Sequence, residues 1–227
     1  SAVRGAAERE TWDLGGGQRL VVASAEAMLE LEPGAVDVAV TSPPYNLDKV
    51  YHSPGRGRHD DRMAEPDYLD FLERVFREVH RVLREDGLFF VNFGEGARTQ
   101  GAGERVAARL ERAGFLRVQT AIWVKSILGA GHFQPSGGRR RLNHLWEFIY
   151  IFAKSKDYRF DPLAIGVPYA DKSNVGRYAA SDLRDPGDVW FVPYSETTGQ
   201  TAKKGHPAIF PVELPWRCIK MHSDRGG

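Results

Sequence analysis

The chain has 227 residues, 42% hydrophobic and 27% charged, with a formal net charge of +1. Those values suit one α/β domain with a substantial core and a smaller insertion, and so near-neutral a total argues neither for nor against nucleic acid. A lone cysteine, Cys218, excludes an internal disulfide and a Cys-rich metal site, and no apolar run approaches the ~20 residues of a membrane span. Residues 1–13 mix Arg and Glu without a signal-like apolar run, so the expectation is a soluble, cytoplasmic protein with no membrane partner and no metal.

In chain order, residues 19–23 form a short β-prone run. Ser24 is the expected N-cap of a short helix through Met28, Leu29 and Leu31, ended by Pro33-Gly34. Residues 36–40 (Val-Asp-Val-Ala-Val) read as a strand buried on both faces of a parallel sheet, ending at Thr41-Ser42-Pro43-Pro44-Tyr45. Ligands of open α/β sheets bind beyond the carboxyl ends of the strands, which is where this loop falls. Residues 51–65 are Gly- and charge-rich and read as a mobile loop.

Residues 67–84 carry Leu69, Leu72, Val75, Phe76, Val79, Val82 and Leu83 at spacings of three and four, which predicts an amphipathic helix stopped by Asp86-Gly87. A strand over 88–93, a helix over 103–113 with Gly114 as its stop, and a strand over 118–124 follow. This alternation predicts a doubly wound, mostly parallel sheet, the Rossmann-like arrangement. Residues 147–152 give one more strand. Residues 155–205 are polar, with scattered aromatics and prolines and little periodicity. The expected division is a catalytic core over 1–126, an insertion over 127–204 from which the strand at 147–153 returns to the core, and a final segment over 205–227.

The loop carries chemistry. An exocyclic amine on a heteroaromatic base is a poor nucleophile because its lone pair is delocalised into the ring. Drawing both N–H groups towards acceptors favours a pyramidal nitrogen that can attack. The Ser42 hydroxyl offers one acceptor and the Pro43 carbonyl the other. Pro43 and Pro44 fix two φ angles, so little reorganisation accompanies reaction. Tyr45 offers a flat face for a base, worth roughly 1–3 kcal/mol in comparable stacks. A Ser-Pro-Pro turn that merely ends a strand is the plain alternative; the preceding buried strand and the aromatic that follows favour function.

At these residues the sequence resembles the amino-group DNA methyltransferases, which carry Asp, Asn or Ser before Pro-Pro-aromatic. The resemblance runs from Val36 through Leu47, then through Arg81–Gly87, Leu88–Gly94, Ile122–Lys125, Trp146–Phe152 and His206–Pro211. An early catalytic loop and a late His-Pro-Ala match the family's permuted, beta-type order, and the likeness covers most of residues 19–227. It implies a methyl donor, S-adenosylmethionine, and duplex DNA as partner, with a homodimer left open. The cofactor residues it implies are Ser24, Ala25, Thr41, Ser42, Pro44, His206, Pro207, Ala208 and Phe210. It also implies a target base flipped from the duplex into a pocket beside Tyr45.

Two departures stand out. Ala23-Ser24 occupies the place of the family's Gly-Asp pair, so an acidic contact to adenosine is absent. The glycine-rich cofactor loop, of the Asp-Pro-Phe-x-Gly-x-Gly type, is expected beyond Gly227, since the family places it after a segment like residues 221–227. Gly15-Gly16-Gly17 and Gly94-Glu95-Gly96 do not replace it.

Arg139, Arg140 and Arg141, with Lys172, Lys203 and Lys204, are candidate DNA contacts, weighed against a plain solvated surface. Target readout is expected within residues 128–204. His132, His144, His206 and His222 lack metal-ligand spacing, so packing roles are expected. Asn92 reads equally as a polar residue near the site or a backbone cap, and Trp123 and Trp146 read as anchors. Ser before Pro-Pro tilts the target towards cytosine N4 over adenine N6. Other readings are an inactive or subunit-dependent DNA-binding module, and a methyltransferase acting on RNA or a protein amide.

Overall fold

The computed structural model describes residues 9–46, 50–53, 57–60, 62–96, 99–126, 142, 144–193 and 209–223. At its centre is a five-stranded sheet of β3 (Val36–Thr41), β6 (Leu83–Phe93), β8 (Trp146–Ala153), β7 (Leu116–Val124) and β9 (Val189–Phe191), in that spatial order. β3 pairs parallel with β6 and β7 parallel with β9, while β8 runs antiparallel to both β6 and β7. The sheet is therefore mixed, which corrects the mostly parallel expectation. β8 follows β7 in sequence and folds back beside it, so the pair is antiparallel rather than joined by a right-handed crossover. Two further antiparallel pairs stand apart from this sheet: β1 (Glu10–Gly15) with β2 (Gln18–Val22), and β4 (Val50–Ser53) with β5 (Gly57–Asp60).

Helices α1 (Glu65–Val82) and α2 (Ala102–Arg112) cover one face. Their apolar stripes, Leu72, Phe76 and Val79 from α1 and Val106 and Leu110 from α2, bury against Phe89, Val91, Tyr150 and Phe152. Pro66 in the first turn of α1, acidic Glu65 and Asp67 at its start and His80 and Arg81 at its end agree with helix polarity. The opposite face packs Leu88, Phe90, Trp123 and Ile151 against Ile165, Leu214, Cys218 and Met221, the last three on or just after α3 (Glu213–Lys220). Helices thus cover both faces of the mixed sheet, α1 and α2 on one and α3 on the other. Burial pushes the Cys218 thiol up to about 12, which makes it an inert core group.

Several local expectations change. Residues 24–31 form turns rather than a helix: Ser24 Oγ accepts from the Glu26 amide at 3.3 Å, a local bond that competes with helix formation. The segment over 51–65, expected to be a loop, contains the β4–β5 hairpin. α1 ends at Val82, and Asp86-Gly87 lies inside β6 where the β3–β6 register shifts. A Cβ on Gly87 would sit 2.8 Å from the Asp37 carbonyl oxygen, so glycine is required for close strand approach rather than for helix termination. β3 lies at one edge of the sheet among the described residues and is only part-buried, with Val36 and Ala39 packed on one face and Val38 and Val40 on the other. The polar stretch over 155–205 holds 3-10 turns at Pro162–Ile165 and Lys172–Asn174, and it contributes β9 to the core sheet. Among the described residues no helix is long and apolar enough to cross a membrane.

Candidate active site

The carboxyl ends of β3, β6 and β7 and the start of β8 converge, because β8 runs against its neighbours. Ser42 and Tyr45 follow β3, Asn92 is the penultimate residue of β6, Lys125 follows β7, and Glu147 is the second residue of β8. Their side chains form one chain of contacts. The Tyr45 hydroxyl lies 2.8 Å from Ser42 Oγ, 3.0 Å from Asn92 Oδ1 and 3.1 Å from Glu147 Oε2. Asn92 Nδ2 donates to Glu147 Oε2 at 2.9 Å and to the Phe148 carbonyl at 3.1 Å. Lys125 Nζ donates to Glu147 Oε1 at 2.8 Å, an ion pair whose side chains are only 8% and 13% exposed. So little exposure makes removal of either partner alone costly, on the order of 3–5 kcal/mol.

The loop is clamped from three other directions. The buried Tyr68 of α1 donates its hydroxyl to the Pro44 carbonyl at 2.5 Å. Asn46, at φ +56°, exchanges two hydrogen bonds with the Met63 backbone, each 2.9 Å, in the manner of a paired strand residue. The Tyr45 ring packs on Phe93 with centroids 4.8 Å apart. Gly94 admits this packing: a Cβ there would lie 2.8 Å from Glu147 Oε1 and 2.9 Å from Tyr45 Cε2. Burial, and after it the Glu147 carboxylate, push the Tyr45 phenol well above its ordinary range, so it is protonated at neutral pH.

Beside this cluster, Glu95 accepts from the Gly101 and Gly103 amides and so caps the start of α2 from outside the helix. His144 Nδ1 is 3.0 Å from the Glu95 carbonyl, and its ring meets Trp146 edge-on at 4.6 Å. Trp123 is buried and donates Nε1 to the Val192 carbonyl at 2.8 Å. His222 is buried, with Nδ1 2.8 Å from the Arg159 carbonyl.

The residues singled out from sequence fall into three groups. Thr41, Ser42, Pro43, Pro44 and Tyr45 gather at the strand ends as just described. Ser24 and Ala25 line a separate cavity of about 400 Å³ with Val21, Ala23, Met28 and Glu30, and Phe210 packs on the core face that holds α3. Lys172 is exposed and forms an ion pair with Asp182 at 2.5 Å. His206, Pro207, Ala208, Arg139, Arg140, Arg141, Lys203, Lys204 and His132 lie outside the described residues. Sequence reasoning missed Lys125 and Glu147. Their only local signal is a charge flanked by apolar and aromatic residues at a strand terminus, a weak one for any single site. Among the described residues no group of three His, Cys, Asp or Glu side chains is arranged to hold a metal ion.

Comparison with known proteins concerns the whole chain and its fold. A DNA methylase family model for N6 and N4 methyltransferases matches residues 36–227. The type II methyltransferase M.MjaI of Methanocaldococcus jannaschii is 26% identical over 251 residues, spanning 93% of this chain and 78% of the relative. M.BglII of Bacillus subtilis is 28% identical over 204 residues, spanning 85% of this chain and 52% of the relative, so the chain covers about half of that protein. Among solved structures, the cytosine-N4-specific PvuII DNA methyltransferase superposes with a TM-score of 0.63 at 21% identity, covering 89% of this chain and 69% of that one. A putative DNA modification methylase of Thermus thermophilus, solved with S-adenosyl-L-methionine, gives 0.52 at 22% identity, covering 88% and 73%. With the family match running from β3 to the last residue, the chain belongs to the N6/N4 DNA methylases, S-adenosylmethionine-dependent DNA amino-methyltransferases.

Proposed function

We propose that the chain is the catalytic part of a site-specific DNA methyltransferase that modifies an exocyclic amine, with cytosine N4 as the target. One observation carries the reading. Ser42, the first residue beyond an α/β strand, bonds through Tyr45 to a buried polar cluster, whereas a turn that merely ends a strand has no need of one. The Ser42 hydroxyl and the Pro43 carbonyl act as the two amine acceptors. Tyr68, by holding the Pro44 carbonyl, keeps that pair in place. Serine before Pro-Pro favours cytosine, as does the overall likeness to a cytosine-N4-specific methyltransferase. Adenine N6 is the alternative, since the same two acceptors serve either base.

S-adenosylmethionine supplies an electrophilic methyl group and needs no metal. The cavity beside Ser24 and Ala25 suits its adenosine end. Val21, Ala23 and Met28 provide apolar walls for a purine ring, and Ser24 and Glu30 provide polar groups for the ribose. His206, Pro207, Ala208 and Phe210 are the proposed contacts to the methionine end. Arg139, Arg140, Arg141, Lys203 and Lys204 are the proposed contacts to phosphate; Lys172, already paired with Asp182, contributes less.

The test is transfer of labelled methyl from S-adenosylmethionine to duplex DNA, followed by nucleoside analysis. Labelled 4-methylcytosine is the expected product, and labelled 6-methyladenine would move the target to adenine. DNA that acquires neither would end the reading in favour of a binding module without activity.

A further inference from the structure

We infer that Glu147, anchored by Lys125, sets the direction of the hydrogen-bond chain ending on Ser42, so that Ser42 donates inward to Tyr45 and keeps its lone pairs for the substrate amine. The inference rests on the methyltransferase reading and adds positioning residues to it. Lys125 is a donor only, and it occupies Glu147 Oε1 at 2.8 Å. Glu147 Oε2 is then an acceptor facing both Asn92 and Tyr45. The Asn92 amide has a single satisfactory orientation. Its Nδ2 meets two acceptors, Glu147 Oε2 and the Phe148 carbonyl, and the reversed amide would set an oxygen against both.

Asn92 therefore presents Oδ1 to Tyr45. The Tyr45 hydroxyl has one proton and two neighbours that can only accept, Asn92 Oδ1 at 3.0 Å and Glu147 Oε2 at 3.1 Å. Its proton goes to one of them. The remaining 2.8 Å contact, between Tyr45 and Ser42, is satisfied only if Ser42 is the donor. A serine committed in this way cannot turn its proton towards the amine and offers it lone pairs instead. Without the commitment, the hydroxyl is free to rotate and present a donor where an acceptor is needed. Lys125, Glu147 and Asn92 are positioning residues in this scheme, since each acts on the amine only through Tyr45 and Ser42.

Glu147→Gln gives the sharpest test. Lys125 would capture the new amide oxygen and leave an NH2 group facing Asn92 and Tyr45, which reverses or breaks the chain. Lys125→Met combined with Glu147→Gln frees the amide to turn its oxygen inward again. The measurement is single-turnover methyl transfer at saturating cofactor and DNA, with both affinities determined separately by titration. E147Q is expected to slow transfer about 100-fold, the scale of one lost preorganised contact, with affinities changed less than about threefold. Y45F is expected to be slowed about as much, and the Y45F/E147Q pair no further than the slower single variant, because both break one chain. The K125M/E147Q variant is expected to regain at least about tenfold over E147Q.

An E147Q protein at the wild-type rate, multiplicative effects of Y45F and E147Q, or no recovery in K125M/E147Q would each overturn the inference. If E147Q fails to melt cooperatively, Y45F, which removes one oxygen, decides on its own: unchanged transfer overturns the scheme and slowed transfer at unchanged affinity supports it. Wild-type protein that transfers no methyl overturns the proposed function itself, whereas active wild type with unaffected variants overturns only the direction of the chain.

Discussion

At the scale of single residues, the loop's behaviour follows from how few atoms separate Ser42 from the buried ion pair. Ser42→Ala removes the proposed acceptor and little else from a part-buried loop. A fall of about 100-fold or more in single-turnover methyl transfer, with cofactor affinity unchanged, is expected. Gly94→Ala tests the packing instead. The added methyl would press on Glu147 and Tyr45 from less than 3 Å, so we expect about 1–3 kcal/mol of destabilisation by thermal melting. A loss of activity of roughly tenfold to 100-fold should accompany it, as the loop is displaced. The place of the loop, directly beyond β3, was legible in the sequence because a Ser-Pro-Pro-aromatic string after a β-prone run has a local meaning. Tyr45 was only half legible. Its ring was read as a stacking face, whereas its hydroxyl meets partners 47 and 102 residues away, which no local pattern encodes.

At the scale of elements, α1 and α2 are tied by a charged clamp above their apolar contact. Glu73 on α1 accepts from Arg77 at 2.8 Å and from Arg109 of α2 at 2.7 Å, and these two arginines hold its carboxyl below the ordinary range. A lowered folded pKa means that the clamp's stabilisation is present above the unfolded value of 4.5 and is lost as pH falls through the folded one. His80, near the end of α1, behaves in the opposite sense. Burial against Phe115, then the charge of Lys154, lower its pKa from 6.5. The unfolded chain therefore binds the proton more readily, and stability should fall as pH drops below 6.5 until the folded histidine is itself protonated. Urea melts of wild type and His80→Phe at pH 8 and pH 5.5 check this, since the variant should lose that part of the pH dependence. The bodies of both helices were legible from apolar spacing. The end of α1 was not, because Asp86-Gly87 resembles a helix stop, and only the approach of Asp37 shows that the glycine serves a strand.

At the scale of the whole molecule, alternation of strands and helices gave the class of fold but not the direction of β8, which depends on how the chain returns across residues 127–145. Nor was β9 legible. Three residues, Val189–Phe191, are too few for periodicity, and they become a strand only because β7 offers them an edge. The Trp123 indole fastens the joint by donating to Val192. Trp123→Phe should cost about 1–2 kcal/mol in a thermal melt, and proteolysis should then cut first near residues 189–192.

That joint bears on the insertion proposed to recognise the target. A segment spanning 127–204 looks, in one dimension, like a cassette that evolution or an engineer could lift out and replace. Two of its stretches are nevertheless strands of the five-stranded sheet: β8, which carries Glu147, and the three residues of β9. A graft that takes the whole segment would remove the middle strand of the host sheet, Glu147 with it, as well as the edge strand β9. Junctions that leave both 146–153 and 189–192 in the recipient would exchange the proposed recognition loops on an intact sheet.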